Sequence, residues 1–253
     1  MNTNKTEKKI VSAAGKAIKD FNMIKNNDHL MVCLSGGKDS WTLLKILQIL
    51  QKKAPIKFKI TAVNIDPNFQ GYQNNKIAEY CEKNKIDLQV IKTEIKEIIT
   101  EKQRPGSSFC AFCARLRRGA IYTTAEKLKA TKIALGHHAD DLIETLLLNM
   151  FFTGQLKSMA PIMRTDDQKH IVIRPLLYVQ EKQIIEYTRQ EKFPLIDCPC
   201  PKENKIEQRQ EIKKLIKKLA KNIPDIRTNI MRSMKKVIKS HLLDNSIWDF
   251  EKI

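Results

Sequence analysis

Small and polar residues fill positions 35–40, which read Ser35, Gly36, Gly37, Lys38, Asp39 and Ser40 and follow an apolar run at 30–33. Serine and glycine leave the backbone open to a ligand, and the leucine-rich stretch that follows predicts a helix beginning near position 38 or 39. The free N–H groups and the positive dipole end of that helix would point into the turn. This combination favours a polyphosphate, so we expect all six residues to bind nucleotide.

The spacing at 35–40 is not the Gly-x4-Gly-Lys-Ser/Thr spacing of a Walker A loop. Ser-Gly-Gly-x-Asp-Ser instead resembles the signature of the pyrophosphate-loop (PP-loop) ATPases. That resemblance implies cleavage of ATP between its α- and β-phosphates, with pyrophosphate held in the loop. The alternative is a glycine turn that only connects a strand to a helix.

A second glycine-containing segment, residues 135–145, also follows an apolar run and opens a helical pattern. Gly136 permits a close backbone approach, plausible for a nucleotide, and His137 could contact phosphate or substrate. Asp140 and Asp141 fall in the first helical turn, where a carboxylate interacts favourably with the helix dipole. Paired acids beside a polyphosphate can also hold Mg²⁺, which takes carboxylate and phosphate oxygens. Both interpretations of the aspartates stay open.

Four of the six cysteines occur in two pairs, Cys110-x2-Cys113 and Cys198-Pro-Cys200, while Cys33 and Cys81 fit buried apolar positions. Too few cysteines are present for a disulfide framework in a chain of this size. The Cys-x2-Cys spacing lets two thiolates reach one metal, although a redox dithiol is the alternative. Three thiolates with one open position would suit an iron–sulfur cluster, and structural zinc is the competing ligand.

The remaining pattern alternates short apolar runs with helical periodicity, which is typical of an α/β fold with a parallel sheet and helices on both faces. Ligands of such sheets bind at the carboxyl ends of the strands. We divide the chain into an N-terminal helix (1–25), an α/β domain (26–180) and a basic, mainly helical C-terminal region (181–253). The predicted strands are 29–34, 58–65, 88–91, 132–135 and 171–173, and the predicted helices between them are 39–53, 74–83, 114–130 and 140–152.

The 253-residue chain carries 46 Lys and Arg against 28 Asp and Glu, a formal net charge of +18. Clustered cations gain affinity for polyanions by releasing counterions, so nucleic acid is the expected partner. A lysine-covered, solvated surface is the alternative. No stretch has the length and apolarity of a membrane span, and the polar N-terminus has no signal-peptide core. We therefore expect no membrane partner and a reducing, cytoplasmic location.

Taken together, these segments resemble the tRNA 2-thiocytidine synthetases, cluster-dependent tRNA-cytidine 2-sulfurtransferases of the PP-loop superfamily. The resemblance covers about residues 26–242. It is carried by Ser-Gly-Gly-Lys-Asp-Ser at 35–40, Cys-x2-Cys with Arg-Arg-Gly at 110–119, and Gly-His-His-x-Asp-Asp-x2-Glu-Thr at 136–145. It implies an adenine nucleotide α-hydrolase-like, Rossmann-like fold.

The resemblance also implies cofactors and chemistry. Cys110, Cys113 and Cys198 would hold a [4Fe–4S] cluster, and ATP with Mg²⁺ would adenylate O2 of cytidine 32 in a tRNA anticodon loop before sulfur displaces AMP. Asp39, Asp140 and Asp141 are the metal or base candidates, with Asp141 our weak choice for Mg²⁺, and Lys38 lies near phosphate. Asn64 and Ile65 lie at the end of the second predicted strand, so we expect them to frame the adenosine. The implied partners are tRNA, a sulfur donor and a second copy of the chain.

Two other functions compete with this interpretation. One is a different PP-loop enzyme, such as a uridine thiolase, a lysidine synthetase or an amidating enzyme, with the cysteines holding structural zinc. The other is a non-catalytic, zinc-stabilised RNA-binding protein. Cys200 departs from the Cys-x2-Cys that usually ends the family's pattern, so its role stays open.

Overall fold

A computed structural model describes residues 3–104, 106, 108–197, 199 and 206–252. Six strands form one sheet in the order β3-β2-β1-β4-β6-β5. Every neighbouring pair is parallel except β5 and β6, which are antiparallel. The strands are β1 His29–Cys33, β2 Lys59–Asp66, β3 Leu88–Lys92, β4 Lys132–Ala134, β5 Ile162–Arg164 and β6 Ile171–Ile173.

Helices connect the parallel strands and extend beyond the sheet at both ends of the described chain. Their bounds are α1 Thr3–Asp20, α2 Lys38–Lys53, α3 Asn74–Lys83, α4 Ile95–Lys102, α5 Phe109–Lys127, α6 Ala139–Thr153, α7 Glu181–Glu191, α8 Ile206–Asn222 and α9 Ile226–Ser233. Two short 3-10 turns, Lys239–His241 and Phe250–Lys252, follow.

The sheet separates two apolar clusters, as expected for parallel strands covered on both faces. One cluster joins buried residues of β1 and β2 to α1, α2, α3 and α7. The other joins residues of the same central strands to α4 and α5. A third, smaller cluster packs Ile212 and Ile216 of α8 against Ile143 of α6. The basic C-terminal helices are thereby attached to the helix that follows β4.

The predicted parallel α/β fold with a helical C-terminal region is confirmed, and all five predicted strands occur within about one residue of their expected bounds. The sequence pattern did not reveal β5, a three-residue edge strand, or the short helix α4. The helix expected at 114–130 begins earlier, at Phe109, because the Ser108 side chain caps it by accepting a hydrogen bond from the Ala111 N–H. Cys110 therefore lies in the first helical turn.

The three-part domain division stays a prediction. Helix α1 buries Ile10, Ala14 and Ala17 completely, and the Thr6 hydroxyl donates to Glu186 of α7. Helix α7 in turn buries Ile184 and Tyr187 in the same apolar cluster as α2. In the described part of the chain, no helix has the length and apolarity required to span a bilayer.

Candidate active site

Two loops leave neighbouring strands at the same edge of the sheet. β1 lies between β2 and β4, and β1 and β4 are followed by the loops at 34–37 and 135–138. The chain thus crosses to opposite sides of β1, which creates the crevice in which doubly wound sheets bind ligands. The N-termini of α2 and α6, with their unsatisfied N–H groups, both open onto this crevice.

A closed set of hydrogen bonds shapes the phosphate-loop candidate at 35–40. The Ser35 hydroxyl donates to Ser40 Oγ (3.2 Å), and the Ser40 hydroxyl donates to the Gly37 carbonyl (2.9 Å). The Gly37 N–H completes the loop by donating to Ser35 Oγ (3.4 Å). Both serines therefore hold the turn in place, in which Gly36 is buried and Gly37 is partly exposed.

Gly36 is required by its backbone conformation and by its neighbour. Its φ is +84°, a region that favours glycine, and a Cβ atom there would lie 2.3 Å from Ile196 Cγ1. The Ile196 N–H donates to the Gly36 carbonyl (3.2 Å), and the Trp41 indole donates to the Pro194 carbonyl (3.2 Å). The segment just before Cys198 is thus packed directly on the phosphate-loop candidate.

Gly136 brings the second loop into contact with the first. A Cβ atom at Gly136 would lie 3.0 Å from both the carbonyl carbon and the carbonyl oxygen of Asp39, and 3.2 Å from the Ser40 nitrogen. Backbone cannot move aside as a flexible side chain can. The close approach observed at Gly136 is therefore to the first turn of α2, and an approach to a nucleotide stays a prediction.

Lys38 lies between two carboxylates. Its Nζ is 3.0 Å from Asp39 and 3.1 Å from Glu181, the first residue of α7. Burial alone would lower the pKa of Lys38, but the two carboxylates outweigh it and the pKa is raised. Burial likewise opposes ionisation of Glu181, yet Lys38 and Lys213 hold its pKa below the ordinary value. Both groups are charged at neutral pH.

The acids of α6 are paired with arginines of the basic C-terminal helices. Asp140 accepts hydrogen bonds from Arg227 Nε (2.9 Å) and from the Glu181 N–H (2.7 Å). Asp141 accepts from Arg209 Nη2 (2.9 Å) and from the His138 N–H (3.0 Å), so it also caps its own helix. The capping interpretation therefore applies to Asp141, whereas Mg²⁺ binding by either aspartate stays a prediction.

Glu144, one turn further along α6, is almost fully buried at 2% exposure and accepts from Arg209 Nε (2.6 Å). Lys213 Nζ lies 3.5 Å from its other oxygen. A buried carboxylate needs such partners because desolvation of an unpaired charge is costly. Part of the positive charge in α8 is thus used inside the protein.

His138 joins the acids of the two loops. Its Nε2 atom lies 3.6 Å from Asp39 and 3.5 Å from Asp141, and the side chain is buried. Within the part of the chain that the structure describes, no three His, Cys, Asp or Glu side chains form a group that could hold a metal ion. A magnesium ion here would need phosphate oxygens as further ligands, which is its usual mode of binding with nucleotides.

His137 contacts Arg174, the residue directly after β6. Arg174 Nε donates to His137 Nδ1 at 3.2 Å. Desolvation, followed in size by the charge of Arg174, lowers the pKa of His137 to about 4. The ring is therefore neutral at physiological pH.

The two residues expected to frame adenosine differ in orientation. Asn64 is fully buried and donates to the Leu34 carbonyl (2.7 Å) and to the Tyr72 hydroxyl (2.9 Å). Its Oδ1 atom has no hydrogen-bond partner among the described residues, so it is available to a ligand donor. Ile65 belongs to the apolar cluster under α4 and α5, so its backbone is the part that can face a ligand.

Cys110 and Cys113 lie one turn apart at the N-terminus of α5, the first exposed and the second buried. A helix N-terminus stabilises thiolates, and soft thiolates suit iron–sulfur clusters or zinc. The predicted third ligand, Cys198, and the neighbouring Cys200 lie outside the described residues. Pro199 is described, and its Cβ is 4.0 Å from the Cβ position of Gly71. Nearby, the ring of Phe69 packs on Phe109 at 5.8 Å.

Sequence reasoning missed the residues that surround the predicted ones. Glu144 stands within a segment that carried the resemblance, but no role was assigned to it or to Arg174. Glu181, Arg209 and Arg227 gave no signal, because nothing in a lysine-rich sequence distinguishes the cations that face inward. They are identified only by their contacts with Lys38, Asp140 and Asp141.

Comparison with known proteins agrees with this geometry. Residues 5–219 match the family described as PP-loop domain. The chain is 46% identical to the tRNA-cytidine(32) 2-sulfurtransferase of Syntrophotalea carbinolica, over 96% of this chain and 94% of that protein. It is also 46% identical to the tRNA-cytidine(32) 2-sulfurtransferase of Geobacter sulfurreducens, over 94% and 93% of the two chains.

Among solved structures, the U34-tRNA thiolase NcsA from Methanococcus maripaludis with its [4Fe-4S] cluster superposes with a TM-score of 0.73, at 21% identity, over 94% of this chain and 79% of that one. At this identity the likeness concerns the fold. The PP-loop match and the full-length relatives establish the classification. The chain is a transferase that belongs to the tRNA-cytidine(32) 2-sulfurtransferase family of PP-loop proteins.

Proposed function

We propose that this protein is an ATP-dependent, iron–sulfur-dependent tRNA thiolase that converts cytidine 32 of the anticodon loop to 2-thiocytidine, releasing AMP and pyrophosphate. The observation that carries the proposal is the contact between the two glycine loops, where Gly136 packs on the Asp39 backbone. This contact brings the N-termini of α2 and α6 to one crevice. A nucleotide in that crevice would meet two sets of backbone donors at once.

The activation step uses the residues of these loops. ATP would lie with its β- and γ-phosphates on the backbone of Gly36 and Gly37, and Lys38 would offset their charge. Attack by O2 of the cytidine on the α-phosphate develops negative charge that backbone N–H groups and Mg²⁺ stabilise. Asp39 and Asp141 are the carboxylates proposed for Mg²⁺. They lie on either side of the His138 ring.

Adenylation makes the exocyclic O2 part of a good leaving group, so sulfur can bond to C2 of the cytosine while the C2–O2 bond breaks and AMP departs. Asp140 is held by Arg227 and by the N–H of Glu181, so we assign it to positioning α7 and Lys38 rather than to proton transfer. Asn64 Oδ1, buried and without a partner among the described residues, would accept a hydrogen bond from the nucleoside.

The cysteines fit a thiolate-bound cluster. Cys110 and Cys113 share one face of α5 and lie at its N-terminus, where the helix dipole favours thiolates, and Cys198 is proposed as the third ligand. When bound, the cluster would supply an iron with an open position that can carry the sulfur to be transferred. The role of this chain is to hold that group near the adenylated base through the segment at 193–197, which packs on Gly36.

Transfer RNA is the proposed polyanionic partner. Lys217, Lys218 and Lys221 of α8 are exposed, in contrast to Arg209, which faces the acids of α6. The reaction also requires a sulfur donor, and a second copy of the chain is a further proposed partner. Thiolate chemistry of this kind suits a reducing compartment such as the cytoplasm.

Two assays on the anaerobically reconstituted protein test the proposal. One measures tRNA-dependent exchange of labelled pyrophosphate into ATP, and the other measures 2-thiocytidine formed in tRNA. Asp39→Ala should lose both. The double variant Cys110→Ser/Cys113→Ser should lose thiolation and iron while retaining exchange.

The control is Cys81→Ala. Burial raises the pKa of the Cys81 thiol to about 11, so it stays protonated and is not a ligand candidate. This variant should retain both reactions. Thiolation that survives loss of Cys110 and Cys113 would contradict the cluster assignment, and exchange at the wild-type rate in Asp39→Ala would contradict the nucleotide site.

A further inference from the structure

Arg174 is a buried arginine that none of the reactions above uses. It is 8% exposed and leaves the sheet at the carboxyl end of β6, next to β4. Its three groups of N–H donors have separate acceptors. Nη1 donates to the Ala160 carbonyl, Nη2 lies 3.7 Å from the Met163 sulfur, and Nε donates to His137 Nδ1 at 3.2 Å. The guanidinium is therefore fixed from three sides.

This contact determines which nitrogen of His137 carries the proton. A guanidinium can only donate hydrogen bonds, so Nδ1 of His137 must accept with its lone pair. In a neutral imidazole the proton then sits on Nε2, which becomes a donor. Protonation of Nδ1 would break the bond with Arg174 and place two cations side by side.

Most of the charges around His137 also favour the neutral ring. Besides burial and Arg174, which are the two largest influences on its pKa, three groups face it: Asp141 of α6 raises the pKa, while Arg209 of α8 and His138 lower it. The single acidic neighbour, Asp141, is itself paired with Arg209. No element packed around the ring therefore favours the imidazolium form strongly enough to charge it.

His137 is also in a position to reach the reacting groups. It directly follows Gly136, which contacts the Asp39 backbone, and its side chain is only half-buried. We propose that Arg174 is a positioning residue that holds His137 as the neutral Nε2–H tautomer, so that His137 donates a hydrogen bond to an oxygen of the reacting groups. The oxygen belongs to a phosphate of the nucleotide or to the substrate base. The donor role deepens the proposed function and depends on it, whereas the tautomer does not.

The proposal excludes general-base catalysis by His137. A base must accept a proton at a free nitrogen near its working pH. Nδ1 is occupied by Arg174, and a proton gained by the ring would face that cation. His137 is therefore a fixed donor, comparable to one member of an oxyanion hole.

The first test is ¹⁵N NMR of the histidine side chains in the protein without nucleotide or tRNA. The chain has five histidines, and the His137→Gln variant identifies the signal that disappears. We expect His137 to be neutral at pH 7, with Nδ1 unprotonated and Nε2 protonated, and to remain so at pH 5.5. A protonated Nδ1, or a doubly protonated ring at pH 7, would overturn the proposal without any variant of Arg174.

The second test compares Arg174→Met with Arg164→Met. Arg164 is exposed and bonds only to the Gln168 carbonyl among the described residues, so its variant should match the wild type. In Arg174→Met the signal of His137 should show both tautomers, and its pKa should rise but stay below the ordinary value of about 6.5, because burial, the largest cause of the lowered pKa, remains. The kcat for thiolation should fall about tenfold, as for the loss of one hydrogen bond, while KM for ATP changes less than twofold.

These readouts separate the inference from the proposed function. If the NMR result holds but neither exchange nor thiolation is detected in any form of the protein, the tautomer is correct and the reaction is wrong. If the protein thiolates tRNA and Arg174→Met retains full kcat with an unchanged His137 signal, the positioning role of Arg174 is refuted.

Discussion

The phosphate-loop side of the crevice and the cysteine end of α5 are organised in opposite ways. Around positions 35–40, the chain closes the site with its own groups: serine hydroxyls fix the turn, Gly136 touches it, and Lys38 bridges to α7. At the start of α5, two cysteines share one helical turn, and one of them is exposed. In the proposed function, the first region is preorganised for an anion, and the second offers ligands to a group that must be added.

The two regions differ in which protein groups would bind the ligand. Polyphosphate is bound largely by backbone N–H groups, which any chain has, so a short glycine loop and a helix N-terminus suffice. A cluster needs several thiolates brought together from distant positions in the sequence. Residues 193–197 and Pro199 lie between the two regions: Ile196 packs on Gly36, and Pro199 lies near Gly71, two residues after Phe69, whose ring packs on Phe109 of α5. Changes to this segment should therefore affect both halves.

The largest effect is expected from Gly36→Ala. The added Cβ would meet Ile196 at 2.3 Å with φ at +84°, and such backbone strain costs about 1–3 kcal/mol before the clash is counted. We expect pyrophosphate exchange below one hundredth of wild type, in line with a misplaced oxyanion-type donor set. Iron content should fall too, since Ile196 precedes Cys198.

The matched control is Gly119→Ala in α5, where a Cβ meets nothing within 4 Å. Alanine favours helix over glycine by about 0.5–1 kcal/mol, so this variant should melt slightly higher and retain both activities. Iron, exchange and thermal melting are measured on both proteins. Normal iron in Gly36→Ala would show that the two halves are independent.

The second effect concerns the buried carboxylate of α6. Glu144→Gln leaves Arg209 and Lys213 without their inner partner, and breaking a buried pair costs about 3–5 kcal/mol. Because Arg209 is 42% exposed, we expect about 2 kcal/mol in urea unfolding. Glu211→Gln, which breaks an exposed pair with Lys214, should change stability by less than about 0.5 kcal/mol. Equal effects at the two sites would refute the assignment of Glu144 as an anchor for α8.

The two regions also differ in how much of their structure could be predicted from the sequence. The phosphate-loop candidate was readable at residue level because Ser35, Gly36, Gly37 and Ser40 act through local backbone geometry. The loops at 34–37 and 135–138 each follow a parallel strand, so the sequence also predicted that both lie at the same edge of the sheet. Local rules of this kind do not depend on the rest of the fold.

The sequence did not predict which cations of the C-terminal helices pair with the acids of α6. Arg209 and Arg227 belong to a basic region in which every third or fourth residue is a cation, and their partners lie more than sixty positions away. Which cation faces inward depends on the packing of Ile212 and Ile216 against α6. The edge strand β5 was missed for another reason: only two of its three residues, Ile-Met-Arg, are apolar, so it lacks the apolar run of β6, Ile-Val-Ile.

A smaller effect concerns the ion pair of Lys38 and Glu181 at the crevice. The pH dependence of its contribution to stability should distinguish this pair from ordinary surface pairs. The pKa of Glu181 is below its ordinary value of 4.5 because Lys38 and Lys213 outweigh its burial. Its contribution to stability is therefore complete above pH 4.5 and is lost as the pH falls through the lowered pKa of the folded state. We expect about 1 kcal/mol, given partial exposure.

Thermal melting of the wild type and Glu181→Gln between pH 7 and pH 3 measures this contribution. The variant should melt lower at pH 7, and the two curves should converge towards pH 3. A constant difference across this range would mean that Glu181 contributes through packing rather than through its charge. Exchange activity of the variant at pH 7 should fall as well, because Lys38 loses one of its two carboxylate partners.

The smallest effect concerns the two sets of cations on α8. The inner cations pair with acids of the crevice, while the outer cations face solvent. Lys217→Ala/Lys218→Ala removes two exposed charges and should weaken tRNA binding about threefold at physiological salt. The slope of log K against log salt should become less steep by about 1.5, corresponding to two phosphate contacts.

The control, Lys8→Ala/Lys9→Ala, removes two exposed charges from α1 at the other end of the chain and should leave the slope unchanged. If both double variants reduce the slope equally, net charge and not the α8 surface attracts the RNA; if neither does, α8 serves only to hold the acids of α6.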